Sequence, residues 1–146
     1  MAMNADAVFS LSNTVALAGW LVLLASQFIP RVADRIAGIA IPALLAVAYS
    51  GLVLAFWSSA QGGFDSLDNV AALFRTRELL LAGWIHYLAF DLFVGAWIVR
   101  SARQAAVPFL MVVPCLVLTF LFGPAGLLAF LAIRAARKPA AAAFAV

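Results

Sequence analysis

Apolar positions fall along this chain in long blocks separated by tight groups of charge. There are 24 uncharged residues between Asp6 and Arg31, 29 between Arg35 and Asp65, and 30 between Arg103 and Arg134. Between Glu78 and Arg100 the only charged residue is Asp91. Each interval holds a run of roughly 20 apolar residues, the helix length that crosses a hydrocarbon core of about 30 Å. Backbone groups in lipid must bond within their own segment, so these runs read as helices. The expected fold is all-α: a polytopic bundle of four transmembrane helices over about 7–29, 39–59, 79–99 and 107–133, in a single transmembrane domain over 1–146.

The connector 60–78 has its own pattern. Gly62-Gly63 ends the second helix, Asp65 or Ser66 offers a cap, and Leu67, Val70, Ala71 and Phe74 follow at helical spacing. It predicts a short amphipathic helix at the membrane interface before the third span, although a plain surface connector carries the same residues. No basic stretch precedes the first span, since Arg31 is the first Lys or Arg. Its apolar run is also longer than a secretory leader's, so it is expected to stay as an anchor.

Composition narrows the class. The chain of 146 residues is 67% hydrophobic and 10% charged, against about 45–50% and about 25% in soluble domains. A soluble enzyme, a disordered chain and a coiled coil are excluded, leaving an integral membrane protein, expected in the cell's inner (plasma) membrane. One Cys makes no intrachain disulfide, and one His cannot supply both axial ligands of a haem. No metal-ligand spacing, phosphate loop, GxSxG elbow or HExxH motif is present, so no cofactor or metal is expected.

The net charge of +3 does not point to nucleic acid. Its basic residues are spread as Arg31/Arg35, Arg75/Arg77, Arg100/Arg103 and Arg134/Arg137/Lys138, a distribution suited to lipid headgroups. Four crossings divide them four to five and set no orientation. A last segment that dips in and returns would divide them seven to two, and Pro108, Pro114 and Gly123-Pro124 supply breaks for such a reversal, since each proline removes a helix donor. The 27 residues of 107–133 also suit one kinked, tilted crossing, and four spans is the expectation.

The third span, LLLAGWIHYLAFDLFVGAWIV, carries the strongest chemical signal. A charged Asp at a helix centre costs roughly 2.5–3.5 kcal/mol, so Asp91 is expected to face other helices, paired, hydrated or protonated. Tyr87 and Asp91 are four apart and Trp84 lies one turn before, so the three share a stripe that Gly83 and Gly95 continue. His86 lies about 100° from Tyr87. Phe90, Phe93 and Trp97 add aromatic surface. The picture is a polar slot lined by aromatics, with Asp91, His86 and Tyr87 as candidate catalytic groups. Arg77 and Glu78, with Arg75, stand at its mouth as candidate binding residues. Asn13, Thr14, Gln27, Tyr49 and Ser50 are weaker additions, and polar residues in membrane helices also serve simply to join helices.

The stretch ELLLAGWIHYLAFDLFVGAW (78–97), followed by PCLVLTFLFGPAGLL (114–128), resembles the abscisic-acid-deficient-four-like membrane proteins. The likeness covers roughly 64–134, with 1–60 matching only as two generic apolar spans. One departure is Phe109, where many members carry a His. In plants the family is linked to neoxanthin synthesis, so the resemblance implies a carotenoid or isoprenoid isomerase working by acid–base chemistry in the bilayer. Asp91 would protonate an epoxide oxygen, His86 would take a proton from the polyene, and Tyr87 would orient the oxygen. Trp84, Phe90, Phe93 and Trp97 would line the polyene's channel. The rival readings are a non-catalytic carotenoid- or lipid-binding module or accessory protein, and a small transporter built from oligomers. The expected partners are a hydrophobic small molecule and membrane lipids.

Overall fold

The computed structural model describes residues 4–137, and Lys138 lies outside them. Helix α1, Ala5–Leu24, begins at Asn4, whose side chain accepts from the amides of Asp6 and Ala7, and ends in a 3₁₀ turn at Ala25–Gln27. Helix α2, Pro30–Arg35, has proline at its first position, where no amide donor is missed. It runs through a π-helical turn, Ile36–Ala40, into α3, Ile41–Phe56. A short helix α4, Leu67–Leu73, stands in the connector and is capped by Ser66, which accepts from the Asn69 amide. Helix α5, Arg77–Gln104, is the longest, and α6, Phe109–Phe122, and α7, Pro124–Ala136, follow.

Three helical stretches are long and apolar enough to cross a membrane: Ala5–Gln27, Pro30–Ser59 and Arg77–Gln104. The last is the most buried of them. One apolar cluster joins α5 through Leu92, Ala96 and Val99 to Trp20 and Leu23 of α1 and to Val112, Leu116 and Phe130 of the last two helices. A second joins Leu81, Ile85 and Ala89 to Ala16 of α1 and to Leu45 and Leu52 of α3. Helix α5 is therefore the axis on which the other helices pack.

The expected fourth crossing over 107–133 is not a single helix. The chain reverses at Gly123, whose φ of 46° is open to glycine and strained for other residues. Pro124, with no amide hydrogen, cannot continue α6 and instead opens α7. Gly126 lies so close to Thr119 and to the Cys115 carbonyl that a Cβ would overlap both. At the far end of the pair, Arg137 reaches the Met111 sulfur at 3.6 Å. Helices α6 and α7 thus form a tight hairpin whose two outer ends lie together. With three long helices and one hairpin, Arg31, Arg35, Arg100, Arg103, Arg134 and Arg137 gather at one end of the bundle, and Arg75 and Arg77 stand at the other. An ion pair closes each end: Arg103 with Asp34, and Arg77 with Asp6, both at 2.5 Å.

Candidate functional site

The hairpin tip meets the middle of α5. Asp91 is 8% exposed, and a Cβ on Gly123 would stand 2.7 Å from its Oδ1. Its Oδ2 is buried without a hydrogen-bond partner. One turn earlier, the Tyr87 hydroxyl donates to the carbonyl oxygen of Phe120 at 3.3 Å, tying α5 to the last turn of α6. The reversal at Gly123 is stabilised from within, because its amide still donates to Thr119 and the Thr119 hydroxyl donates to Cys115 at 2.8 Å. A carboxyl group faces interrupted helix here, backbone that membrane proteins keep only where protein or a polar cavity covers it.

Aromatic side chains hold this geometry. Trp84 stacks on Tyr87 with ring centres 5.3 Å apart. Its indole N–H donates to the Asn13 oxygen at 3.2 Å, and the Asn13 amide donates to the Phe9 carbonyl at 2.7 Å. Trp20 lies on Gly95, where a Cβ would stand 2.8 Å from its ring, and meets Phe120 edge to face at 5.5 Å. Gly83 serves the same purpose for the Phe74 ring. The glycines of the α5 stripe therefore admit aromatic rings from other segments of this same chain.

The other candidates are divided among separate faces. His86 is exposed, stacks on Phe90 at 4.5 Å and leans on Tyr49 at 5.4 Å. Five residues from Asp91, it points about 140° away around α5. Phe90 and Phe93 line an apolar cleft of about 350 Å³ between α3 and α5, with Gly38, Pro42 and Ala46. Trp97 meets Phe130 of α7 edge to face at 5.9 Å. Arg77 pairs with Asp6, and Glu78 is half-buried with no ion pair to Arg75. Thr14 donates back to Ser10 within α1. Phe109 stands at the start of α6, in a cleft with Ser26 and Arg103 at the bundle end away from the hairpin tip.

Two participants were not among the sequence candidates: Gly123, which makes room for the carboxyl, and Phe120, whose carbonyl receives Tyr87. The Gly123-Pro124 pair was the available signal for the first. A backbone acceptor leaves no signal in sequence. Among the described residues no group of three or more His, Cys, Asp or Glu is arranged to hold a metal ion.

No curated protein and no solved structure matches the chain. The family model described as ABA4-like, ABA DEFICIENT 4-like, matches residues 7–130, extending the likeness through the first two long helices. With most of its length inside that match and three helices suited to a bilayer, the chain belongs to the ABA4-like family.

Proposed function

We propose that this protein is a multi-pass inner-membrane isomerase of a carotenoid-class isoprenoid, with Asp91 as its acid. The observation that carries this reading is the buried, partnerless Oδ2 of Asp91 at the tip of a helical hairpin. A lone carboxyl in an apolar bundle is costly to keep and marks function more often than packing. Opening an epoxide to an allenic alcohol has no net redox change and needs no external oxidant or reductant. The protonated carboxyl of Asp91 gives its proton to the epoxide oxygen as the C–O bond breaks. The carboxylate left behind then takes a proton from the polyene carbon, the C–H electrons complete the new double bond, and the acid is restored. Tyr87, anchored on Phe120, fixes one wall of the site. His86 faces the α3 side and contributes to the aromatic seam there.

The six basic residues gathered at one end of the bundle favour that end as cytoplasmic. A second reading, a non-catalytic carotenoid- or lipid-binding module, is favoured by the wholly apolar α3–α5 cleft beside Phe90 and Phe93. Extraction in mild detergent, incubation with an epoxycarotenoid and chromatography of the pigment separate the two. A new isomer whose formation falls at least 100-fold in Asp91→Asn supports the acid role. Unchanged pigment that co-purifies with the protein supports binding alone, and turnover by Asp91→Asn at the rate of the unaltered protein would sink the acid role.

A further inference from the structure

A second cleft lies between α1 and α5, at the end of the bundle opposite the six-arginine cluster. It has a volume of about 410 Å³ and is lined by Ala5, Asp6, Phe9, Arg77, Leu80, Leu81 and Trp84. Its character is divided. The mouth is the Asp6–Arg77 ion pair, and the wall is apolar and aromatic, with Phe9 44% and Trp84 40% exposed. Trp84 is held by its bond to Asn13 and its stack on Tyr87, so a flat molecule laid against it meets a ring already fixed in place.

The ion pair restricts what the mouth accepts. Asp6 and Arg77 neutralise each other, so an anionic or cationic head gains from one and is repelled by the other. A hydroxyl has no such conflict, since it donates to the Asp6 carboxylate and accepts from the Arg77 guanidinium. Position restricts the ligand further. Arg77, Trp84 and Asp91 are seven residues apart in succession, a spacing that keeps them on one stripe of α5. Fourteen residues of helix set Arg77 about 21 Å from Asp91 along the axis.

We infer that the α1–α5 cleft binds the neutral, hydroxyl-bearing end of a long isoprenoid, with Asp6 and Arg77 on the hydroxyl, Trp84 under the adjoining chain and the reacting part about 20 Å further on at Asp91. The inference rests on the reading of Asp91 as the place of reaction, and it adds the anchoring point and the length of the substrate. Asp6 and Arg77 are positioning residues in this scheme, remote from the bonds that change.

The test is binding, measured apart from turnover. The full chain in lipid nanodiscs is titrated with a carotenoid diol and with the parent hydrocarbon carotenoid, and tryptophan quenching is followed. The diol is expected to bind at least tenfold more tightly. In Asp6→Leu/Arg77→Met the preference should fall below twofold, while the hydrocarbon's affinity holds. The charge-exchanged pair Asp6→Arg/Arg77→Asp should restore it. Trp84→Phe should remove the part of the quenching that distinguishes the two ligands. Equal binding of diol and hydrocarbon, or a preference that survives Asp6→Leu/Arg77→Met, overturns the inference. Asp91→Asn should retain the preference. If the preference is present and no isomer forms, the anchoring stands and the catalytic reading falls. If an isomer forms without any preference, the anchoring alone falls.

Discussion

The Oδ1 of Asp91 and the α-carbon of Gly123 pack so closely that the smallest side chain at position 123 would stand 2.7 Å from the carboxyl oxygen. An acid on the central helix and a reversal in the last apolar segment are thus two halves of one feature. Gly123→Ala should be destabilising twice over. It forces a Cβ onto a φ of 46°, a strain of about 1–3 kcal/mol, and it pushes the methyl group into the carboxyl. Thermal unfolding in detergent should show the loss. In an Asp91→Ala background the second cost disappears and the strain remains, so the two changes together should cost less than the sum of each alone.

Gly126 supports the hairpin by a different means. Its Cα sits against Thr119 and the Cys115 carbonyl, atoms of backbone and of a buried, hydrogen-bonded hydroxyl that have no slack to yield. Gly126→Val should therefore separate α6 from α7 and cost about 1–3 kcal/mol or more as overpacking. The measurable sign is a lower midpoint of thermal unfolding together with faster proteolysis near Gly123. A variant that unfolds at the original temperature would contradict the tight hairpin.

Some of this arrangement could be read directly from the residues. A single acid in a run as apolar as 79–99 stands out, and the Tyr87–Asp91 stripe follows from helical spacing, but His86, expected beside Asp91 in one slot, turns to Tyr49 and Phe90 on the α3 side. The reversal at Gly123 was harder, because an apolar run of 27 residues interrupted by Gly-Pro kinks or folds back with the same local pattern. What decides between these is the contact of Gly126 with Thr119, which exists only after folding. Arg77 shows the same limit. In sequence it stands beside Arg75 and Glu78 at the mouth of the third span, whereas the ion pair found joins Arg77 to Asp6, 71 residues away. Fold class is set by composition and block length, and pairings across the bundle are set by packing.

The connector before α5 supplies a pH-dependent element. The Asn69 side-chain amide donates to both oxygens of Asp65 at 2.9 and 3.0 Å. This holds the Asp65 carboxyl below the usual carboxylate range, with bonds to backbone amides adding to the effect. A carboxyl lowered on folding lends stability above its unfolded value, and that stability is lost as pH falls through the lowered folded value. Asn69→Ala should return Asp65 toward the ordinary range and shift the loss of order in Leu67–Leu73 to higher pH. Carboxyl titration by NMR in detergent micelles reads this directly, and an unchanged Asp65 midpoint in Asn69→Ala would remove Asn69 as the cause.

Three helices long and apolar enough to cross, followed by a hairpin, predict a sidedness that four crossings would reverse. Single cysteines are placed in a Cys115→Ala background at Phe64, in the connector before α4, at Gln104, at the end of α5, and at Ala136, at the end of α7. A thiol reagent that cannot cross the membrane is then added to intact cells or to inverted vesicles. The hairpin puts position 136 on the same side as 104, because α7 returns to the level of Met111, where Arg137 lies against its sulfur. A fourth crossing would put 136 with 64. The concentration of Arg residues at the 104 end sets the direction as well, so 64 should label from outside, and 104 and 136 only from the cytoplasmic face. Labelling of 136 together with 64 would mean that α6 and α7 open into one continuous span, which would carry Gly123 away from Asp91 and dismantle the proposed site.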